Sequence, residues 1–154
     1  MFDGEIGENM KIALASDHAG FELKEALKEF LSSHEVVDFG TFSSESVDYP
    51  DFGFKAAEAV ASGVCERGIL ICGSGIGMSI TANKVNGIRA ALCVSTEFAK
   101  LSRNHNDANI LVLPGRFVSR HFAGEIIGVW LSEKFEGGRH QRRIEKIKKY
   151  ENKK

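Results

Sequence analysis

The chain has 154 residues, of which 43% are hydrophobic and 27% charged, and its formal net charge is -1. This length supports one hydrophobic core rather than two independent domains, and the charge excludes a general attraction to nucleic acid or to anionic membranes. The sequence has no apolar run of the roughly 20 residues that span a bilayer. Its three cysteines have no CxxC spacing, which argues against a disulfide framework or a structural zinc site. We therefore expect a cytoplasmic protein.

Strand and helix patterns alternate along the chain, after an acidic leader at residues 1–9 that we expect to lie outside the fold. Strands are predicted from short apolar runs, and helices from apolar residues spaced three or four apart. In chain order we expect a strand at Lys11–Ser16, a helix at Phe21–His34, a strand at Val36–Phe39, a polar loop at Gly40–Asp51, a helix at Phe52–Ser62, a strand at Ile69–Cys72, a helix at Met78–Lys84, a strand at Arg89–Val94, a helix at Ser95–Asn104, a strand at Ile110–Leu113 and a helix at Ser119–Phe135.

This alternation predicts a mostly parallel sheet of about five strands with helices on both faces, a three-layer αβα Rossmann-like sandwich. We expect residues 10–154 to form this single α/β domain, with the basic segment 139–154 as an extra C-terminal helix. That helix carries Ile144, Ile147 and Tyr150 at three-residue steps. Such a narrow apolar stripe needs a docking surface, and a second subunit is one candidate.

The segment Gly68 to Asn83 places Cys72 at the end of a buried strand, directly before glycines at alternating positions. Glycine lets main-chain N–H groups approach a ligand, and a helix start favours both an anion and a thiolate. The spacing matches neither a dinucleotide fingerprint nor a P-loop, so we expect no nucleotide cofactor. Two structural alternatives remain: the glycines only make a tight turn, and Cys72 is a buried filler, as we expect for Cys65 and Cys93.

Polar residues follow other predicted strands. Asp17 and His18 follow the first strand, and strand order 2-1-3 would bring them beside Cys72 at the point where the sheet winding reverses. Asp17 is either a catalytic group or a helix N-cap. His105 lies in a polar cluster between a helix and a strand, where it is either a loop residue or an acid/base. His34 and His121 are expected to be structural, and we find no spacing typical of a metal site.

Arginines form a further set of candidates. Arg139 and Arg143 lie four residues apart on the predicted tail helix, so they share a face on which two guanidinium groups could hold one phosphate. Arg116 follows another predicted strand. The alternative is a solvated basic helix face.

Taken together, these segments resemble the ribose-5-phosphate isomerase type B family, which also includes galactose-6-phosphate isomerase subunits and some allose isomerases. The resemblance extends from Met10 to about Tyr150. It is carried by SDHAGFELK at Ser16–Lys24, GT-x-SSESVDYPD at Gly40–Asp51, GILICGSGIGMSI at Gly68–Ile80, ANK-x-x-GIRAA at Ala82–Ala91, RNHNDANILVLPGR at Arg103–Arg116 and EGGRHQRR at Glu136–Arg143.

The resemblance implies an enzyme of pentose phosphate metabolism that interconverts ribose 5-phosphate and ribulose 5-phosphate without metal or organic cofactor. Cys72 would move a proton between carbons 2 and 1 through an enediolate, and His105 would open the sugar ring with help from Asp17. The oxyanion would be stabilised by the loop residues Gly73, Ser74, Gly75, Ile76 and Gly77. The phosphate or neighbouring hydroxyls would be held by His18, Arg116, Arg139 and Arg143. Asn106 would orient the sugar, and Tyr49 would line the pocket.

The resemblance also implies a homodimer with the active site between subunits, a tetramer being the alternative. Many relatives have threonine at the position of Ser74, and the smaller side chain predicts tolerance of six-carbon sugars such as allose 6-phosphate. The rival functions are a galactose-6-phosphate isomerase, a non-catalytic phosphosugar or nucleotide sensor, and a thiol redox protein. The last is disfavoured because Cys72 has no adjacent resolving cysteine.

Overall fold

The computed structural model describes residues 9–153, so the expectation for the leader falls, except for Asn9, outside the described part. The strands are β1 (Lys11–Ser16), β2 (Glu35–Asp38), β3 (Arg67–Cys72), β4 (Ala90–Leu92) and β5 (Ile110–Pro114). The helices are α1 (Phe21–Leu27), α2 (Tyr49–Ala61), α3 (Ile76–Asn83), α4 (Thr96–Asn104), α5 (Arg120–Ser132) and α6 (Arg139–Glu151). In the described part, no helix is both long and apolar enough to cross a membrane.

The strands form one parallel sheet in the order β2-β1-β3-β5-β4. The α/β fold class and the predicted 2-1-3 order are therefore confirmed, and the sheet is wholly rather than mostly parallel. The chain reverses its direction of winding between β1 and β3. Loops that follow these two strands consequently meet at the carboxyl edge of the sheet, where open α/β proteins bind ligands.

Alternate strand residues supply the two cores of the sandwich. Ile12 and Leu14 of β1 pack on the face covered by α1, α4 and α5, where Trp130 is fully buried. Ala13 and Ala15 pack on the opposite face against α2 and α3. This second core is rich in alanine, whose small side chains let α2 approach the sheet closely. Because α2 links the parallel strands β2 and β3, it begins near the carboxyl ends of the strands.

Several element boundaries differ from the sequence prediction. The helix expected at Phe21–His34 becomes α1 followed by a 3-10 turn, Lys28–Leu31. The loop expected to continue to Asp51 ends earlier, because α2 begins at Tyr49 with Pro50 in its first turn. N–H groups in a first turn have no partner within the helix, so the missing N–H of proline costs no hydrogen bond there. Gly75 adopts a left-handed conformation and lets α3 begin at Ile76 instead of Met78.

Candidate active site

Close approaches at Gly73 and Gly75 shape the glycine loop after β3. Gly75 has a φ of +78°, and a β-carbon there would lie 2.5 Å from a methyl group of Leu92. A β-carbon on Gly73 would lie 3.3 Å from a guanidinium nitrogen of Arg116, whose main-chain N–H also donates to the Gly73 carbonyl at 3.0 Å. The loop therefore packs against the ends of β4 and β5, with Arg116 beside it.

Cys72 is the last residue of β3 and is only 4% exposed. Its side chain is on the α2 and α3 face of the sheet, and its carbonyl accepts the Gly115 N–H at 2.8 Å. This hydrogen bond fixes the Cys72 backbone, and three loop residues, Gly73 to Gly75, separate it from the start of α3. Burial raises the pKa of the Cys93 thiol to about 11 and also raises that of Cys65, so these two cysteines stay in the thiol form.

The loop after β1 meets the loop after β3. The Asp17 N–H donates to the carbonyl of Ile71 at 3.2 Å, and the Asp17 carboxylate accepts the Gly20 N–H at 3.0 Å. The capping role that the sequence left open is therefore present, and it fixes this carboxylate beside the end of β3. His18 accepts the Val47 N–H at Nδ1, at 3.2 Å, so a neutral His18 ring carries its proton on Nε2.

Tyr49 belongs with Cys72, Asp17 and His18 to a first group of candidate site residues. A β-carbon placed on Gly77 would lie 2.7 Å from the Tyr49 ring, so the ring lies over the first turn of α3. The Ser74 hydroxyl accepts the Ile76 N–H at 3.2 Å and thereby caps the same turn. The residues that the structure gathers at the carboxyl edge of the sheet are Asp17, His18, Tyr49, Cys72, Gly73, Ser74, Gly75, Ile76, Gly77 and Arg116.

His105 lies in a second group, at the C-terminal end of α4. Its ring stacks on that of His140 with centroids 4.2 Å apart and planes 11° from parallel. Glu136 Oε1 lies 3.5 Å from His105 Nε2 and 3.8 Å from His140 Nε2. The Asn104 carbonyl accepts the Glu136 N–H at 3.0 Å, which brings the start of α6 against the end of α4.

The buried Arg103 and the half-buried Arg89 hold the segment around His105. Arg103 donates to the carbonyl of Ala108 at 2.6 Å and to the carboxylate of Asp107 at 2.9 Å. Burial lowers the pKa of Arg103, and Asp107 opposes this effect. Arg89 donates to the carbonyl of Asn106 at 2.9 Å, and Asn106 itself is exposed. The segment is therefore a fixed loop, and not merely a solvated one.

His105, Glu136 and His140 could in principle hold a metal ion, because their ligand atoms all lie within 4.8 Å of one another. The parallel rings oppose this, since two imidazoles must direct their nitrogen lone pairs at one point to share an ion. The pKa of His140 is lowered by burial and then by His105 and Arg139. Arg139 and Arg143 both lower this pKa, because their positive charges disfavour a protonated ring. The same charges would repel a cation and attract an anion.

The sequence pattern does not indicate that Glu136 and His140 are neighbours of His105, or that Arg89 and Arg103 support it. The Glu136–Arg143 block contains the first two, but their contact with His105 depends on the positive-φ turn at Gly137 and Gly138. No spacing along the chain predicts that contact.

The Cys72 group lies at the carboxyl ends of the strands, and the His105 group lies at their amino ends. Helix α4 leads from the carboxyl end of β4 back to the amino end of β5, so His105 lies near the edge where Ile110 pairs with Gly68. Cys72 lies four residues further along β3, about 13 Å away at the usual strand rise. Arg139 starts α6 on the His105 side. The structure therefore does not bring Cys72 and His105 together within one chain.

Comparisons with known proteins identify the family. The family model described as Ribose/Galactose Isomerase matches residues 12–147. A putative sugar phosphate isomerase of Bacillus subtilis is 52% identical over 94% of this chain and 99% of its own. Ribose-5-phosphate isomerase B of Escherichia coli is 49% identical over 89% of this chain and 93% of its own.

Solved structures agree with these sequence matches. Ribose-5-phosphate isomerase B of Clostridium thermocellum superposes with a TM-score of 0.92 at 55% identity, over 94% of this chain and 99% of that one. The Mycoplasma genitalium enzyme with bound ribulose-5-phosphate has a TM-score of 0.90 at 45% identity, over 94% of this chain and 97% of that one. The resemblance inferred from the sequence blocks is confirmed, and the chain belongs to the ribose/galactose isomerase family.

Proposed function

We propose that this protein is an aldose-ketose isomerase that interconverts D-ribose 5-phosphate and D-ribulose 5-phosphate in the cytoplasm. The observation that carries the proposal is the placement of Cys72 at the end of β3, directly before the glycine loop and the start of α3. The relatives named as ribose-5-phosphate isomerase B, one with ribulose-5-phosphate bound, support this substrate.

In the proposed reaction, the Cys72 thiolate removes the proton from carbon 2 of the open-chain aldose. The electron pair of that C–H bond forms a double bond between carbons 1 and 2, and the aldehyde oxygen becomes an enediolate oxygen. The thiol returns the proton to carbon 1, while the proton of the carbon-2 hydroxyl moves to the carbon-1 oxygen. Main-chain N–H groups between Gly73 and Gly77 stabilise the oxyanion, an effect commonly worth about 3 kcal/mol for each donor.

The remaining side chains bind the sugar and open its ring. His105 transfers the ring-opening proton, with help from Asp17. His18 and Arg116 contact the phosphate and the neighbouring hydroxyls from the carboxyl edge, together with Arg139 and Arg143 from α6. Asn106 orients the sugar, and the Tyr49 ring lines the pocket over Gly77.

This division of labour requires two chains, because Cys72 and His105 lie at opposite edges of the sheet in one chain. We therefore propose a homodimer with each active site between subunits, a tetramer being the larger alternative. The exposed edge beside β4 supports this assembly. Ile76 and Ile80 of α3 flank it on one side, with Phe98 and Leu101 of α4 on the other, and all of them are large exposed apolar side chains.

A broader substrate range is our second candidate. The Ser74 hydroxyl already caps the first turn of α3, so threonine could make the same bond while its extra methyl narrows the pocket. We expect Ser74→Thr to lower the ratio of kcat/KM for allose 6-phosphate to that for ribose 5-phosphate by about tenfold. An unchanged ratio would remove the idea.

The experiment for the main proposal is turnover of ribose 5-phosphate in deuterated water by the wild type, Cys72→Ala and Cys65→Ala. We expect the wild type and Cys65→Ala to form ribulose 5-phosphate that carries solvent deuterium at carbon 1. Cys72→Ala should be folded and inactive. Full activity in Cys72→Ala would remove Cys72 from the mechanism, and ligand binding without turnover in the wild type would indicate a sensor instead.

A further inference from the structure

Lys24 is a lysine of α1 whose side chain is 0% exposed. Its Nζ donates to Asp38 Oδ2 at 2.5 Å and lies 5.5 Å and 5.3 Å from the ring centroids of Phe21 and Phe42. Removing an ammonium group from water is costly unless the group is paired, and an apolar side chain of similar size is often tolerated as well in such a place. A role beyond packing would explain this choice of residue.

Asp38 connects the buried lysine to the chain that leaves β2. Its second oxygen, Oδ1, accepts the Gly40 N–H at 2.8 Å. The Gly40 carbonyl in turn accepts the Ser16 N–H at 2.7 Å, and the Thr41 N–H donates to the Ser16 carbonyl at 2.8 Å. The Lys24–Asp38 pair therefore fixes the point at which the Gly40–Asp48 loop leaves the sheet. That point lies beside Ser16, the residue before Asp17.

The same loop returns to the candidate site through Val47. Its N–H donates to Nδ1 of His18, and a main-chain N–H can only donate, so Nδ1 must be the unprotonated nitrogen. The loop is thus fixed at its start by Asp38 and Ser16, and near its end by His18. The remaining proton of a neutral His18 is held on Nε2, which is the nitrogen left to contact a ligand.

We propose that Lys24 is a positioning residue for His18: paired with Asp38, it holds the Gly40–Asp48 loop so that Val47 keeps the His18 proton on Nε2, ready to donate to the substrate phosphate. The part about phosphate rests on the proposed function. The part about the tautomer depends only on the hydrogen bonds between Lys24, Asp38, Gly40, Ser16, Val47 and His18.

The test compares Lys24→Met with Lys28→Met. Lys28 Nζ lies 2.9 Å from the same Asp38 oxygen, but its side chain is 41% exposed, so its loss leaves the buried pair in place. Two readouts are needed: the nitrogen chemical shifts of the neutral His18 ring in protein labelled with nitrogen-15, and the separate values of KM and kcat for ribose 5-phosphate.

In the wild type and in Lys28→Met we expect the His18 proton on Nε2. In Lys24→Met we expect signals shifted toward a mixture of tautomers, and KM raised about tenfold, the equivalent of one hydrogen bond to a charged group. The value of kcat should stay within about twofold, because His18 does not carry the transferred proton. Unchanged His18 signals, or the same changes in Lys28→Met, would overturn the proposal.

If Lys24→Met does not fold, the wild-type spectrum and Asp38→Asn decide. Asp38→Asn keeps the side-chain size but removes the negative charge, and the proposal requires the same direction of shift in the His18 signals. A wild-type His18 with its proton on Nδ1, or unaltered signals in Asp38→Asn, would contradict it. Failure of the wild type to convert ribose 5-phosphate would count against the proposed function alone, since the spectra need no turnover.

Discussion

Single atoms decide much of the shape of the candidate site, and Gly77 is the clearest example. A β-carbon there would meet two atoms of the Tyr49 ring at 2.7 Å. We expect Gly77→Ala to displace that ring, to lower the free energy of unfolding by about 1–3 kcal/mol and to raise KM. Gly128→Ala is the matched control, because a β-carbon at Gly128 meets nothing within 4 Å.

In the interior of α5, the Gly128 substitution should leave KM unchanged and raise stability by up to about 1 kcal/mol, since alanine favours the helix. Urea unfolding and steady-state kinetics measure both variants. Equal stability and KM for Gly77→Ala and the wild type would show that the ring does not lie over the first turn of α3.

Asp38 gives a pH dependence whose sign follows from its surroundings. Burial favours the neutral carboxyl, but hydrogen bonds from Lys24, Lys28 and the Gly40 N–H outweigh it, so the pKa of Asp38 is lowered from 3.8. A lowered pKa in the folded state adds stability above the unfolded value, and this stability is lost as pH falls through the folded value.

The free energy of unfolding of Asp38→Asn should therefore lie below that of the wild type at neutral pH, and the difference should shrink between about pH 5 and pH 2. Urea unfolding at a series of pH values measures this difference. A gap between the two proteins that stays constant down to pH 2 would contradict the lowered pKa.

At this residue scale, the sequence indicated the side chains that end strands but not those that depend on tertiary contacts. Cys72 and its glycines were predicted because the apolar run and the loop are adjacent in the chain. Lys24 occurs in an amphipathic helix, where a lysine is normally solvated, and only the return of the chain at Asp38 and Phe42 buries it. Its burial therefore has no sign in the sequence pattern.

At the scale of elements, the alternation of short apolar runs with helical spacing was enough to predict the α/β fold and the 2-1-3 strand order. Boundaries were less accurate where one residue changes the backbone. The polar residues around Pro50 predict a loop, although proline is also favoured in a first helical turn, which is where it lies in α2. Gly75 similarly starts α3 earlier than its apolar pattern suggests.

The tail helix α6 provides a prediction at this scale. Ile144 is 3% exposed, whereas Ile147, one turn further on, is 52% exposed. The predicted stripe is thus anchored in its own chain by its first member. Ile144→Ala should lower the free energy of unfolding by about 2–4 kcal/mol, and Ile147→Ala by less than about 1 kcal/mol.

Urea unfolding of the two alanine variants is the measurement. Because α6 carries Arg139 and the Glu136 segment lies against His105, Ile144→Ala should also raise KM. A larger loss of stability in Ile147→Ala than in Ile144→Ala would show that α6 is held mainly by contacts outside its own chain.

At the scale of the whole molecule, the candidate site is divided between two edges of one sheet. Strand order and helix direction impose this division, since a helix that links parallel strands must return from the carboxyl edge to the amino edge. The sequence alone grouped Cys72 and His105 by chemistry and by family resemblance. It could not show that they lie about 13 Å or more apart along the strand direction.

The most direct test of a site shared between chains is to mix two inactive variants, Cys72→Ala and His105→Asn, by refolding them together. In a dimer with one chain of each variant, one site contains both substitutions and the other contains neither. We predict that random mixing restores about a quarter of wild-type activity. As a control, Cys72→Ala is mixed with His121→Asn, a variant that we expect to be fully active. That mixture should show only the activity contributed by its His121→Asn chains. No activity in the mixture of the two inactive variants, despite proven exchange of subunits, would contradict the shared site.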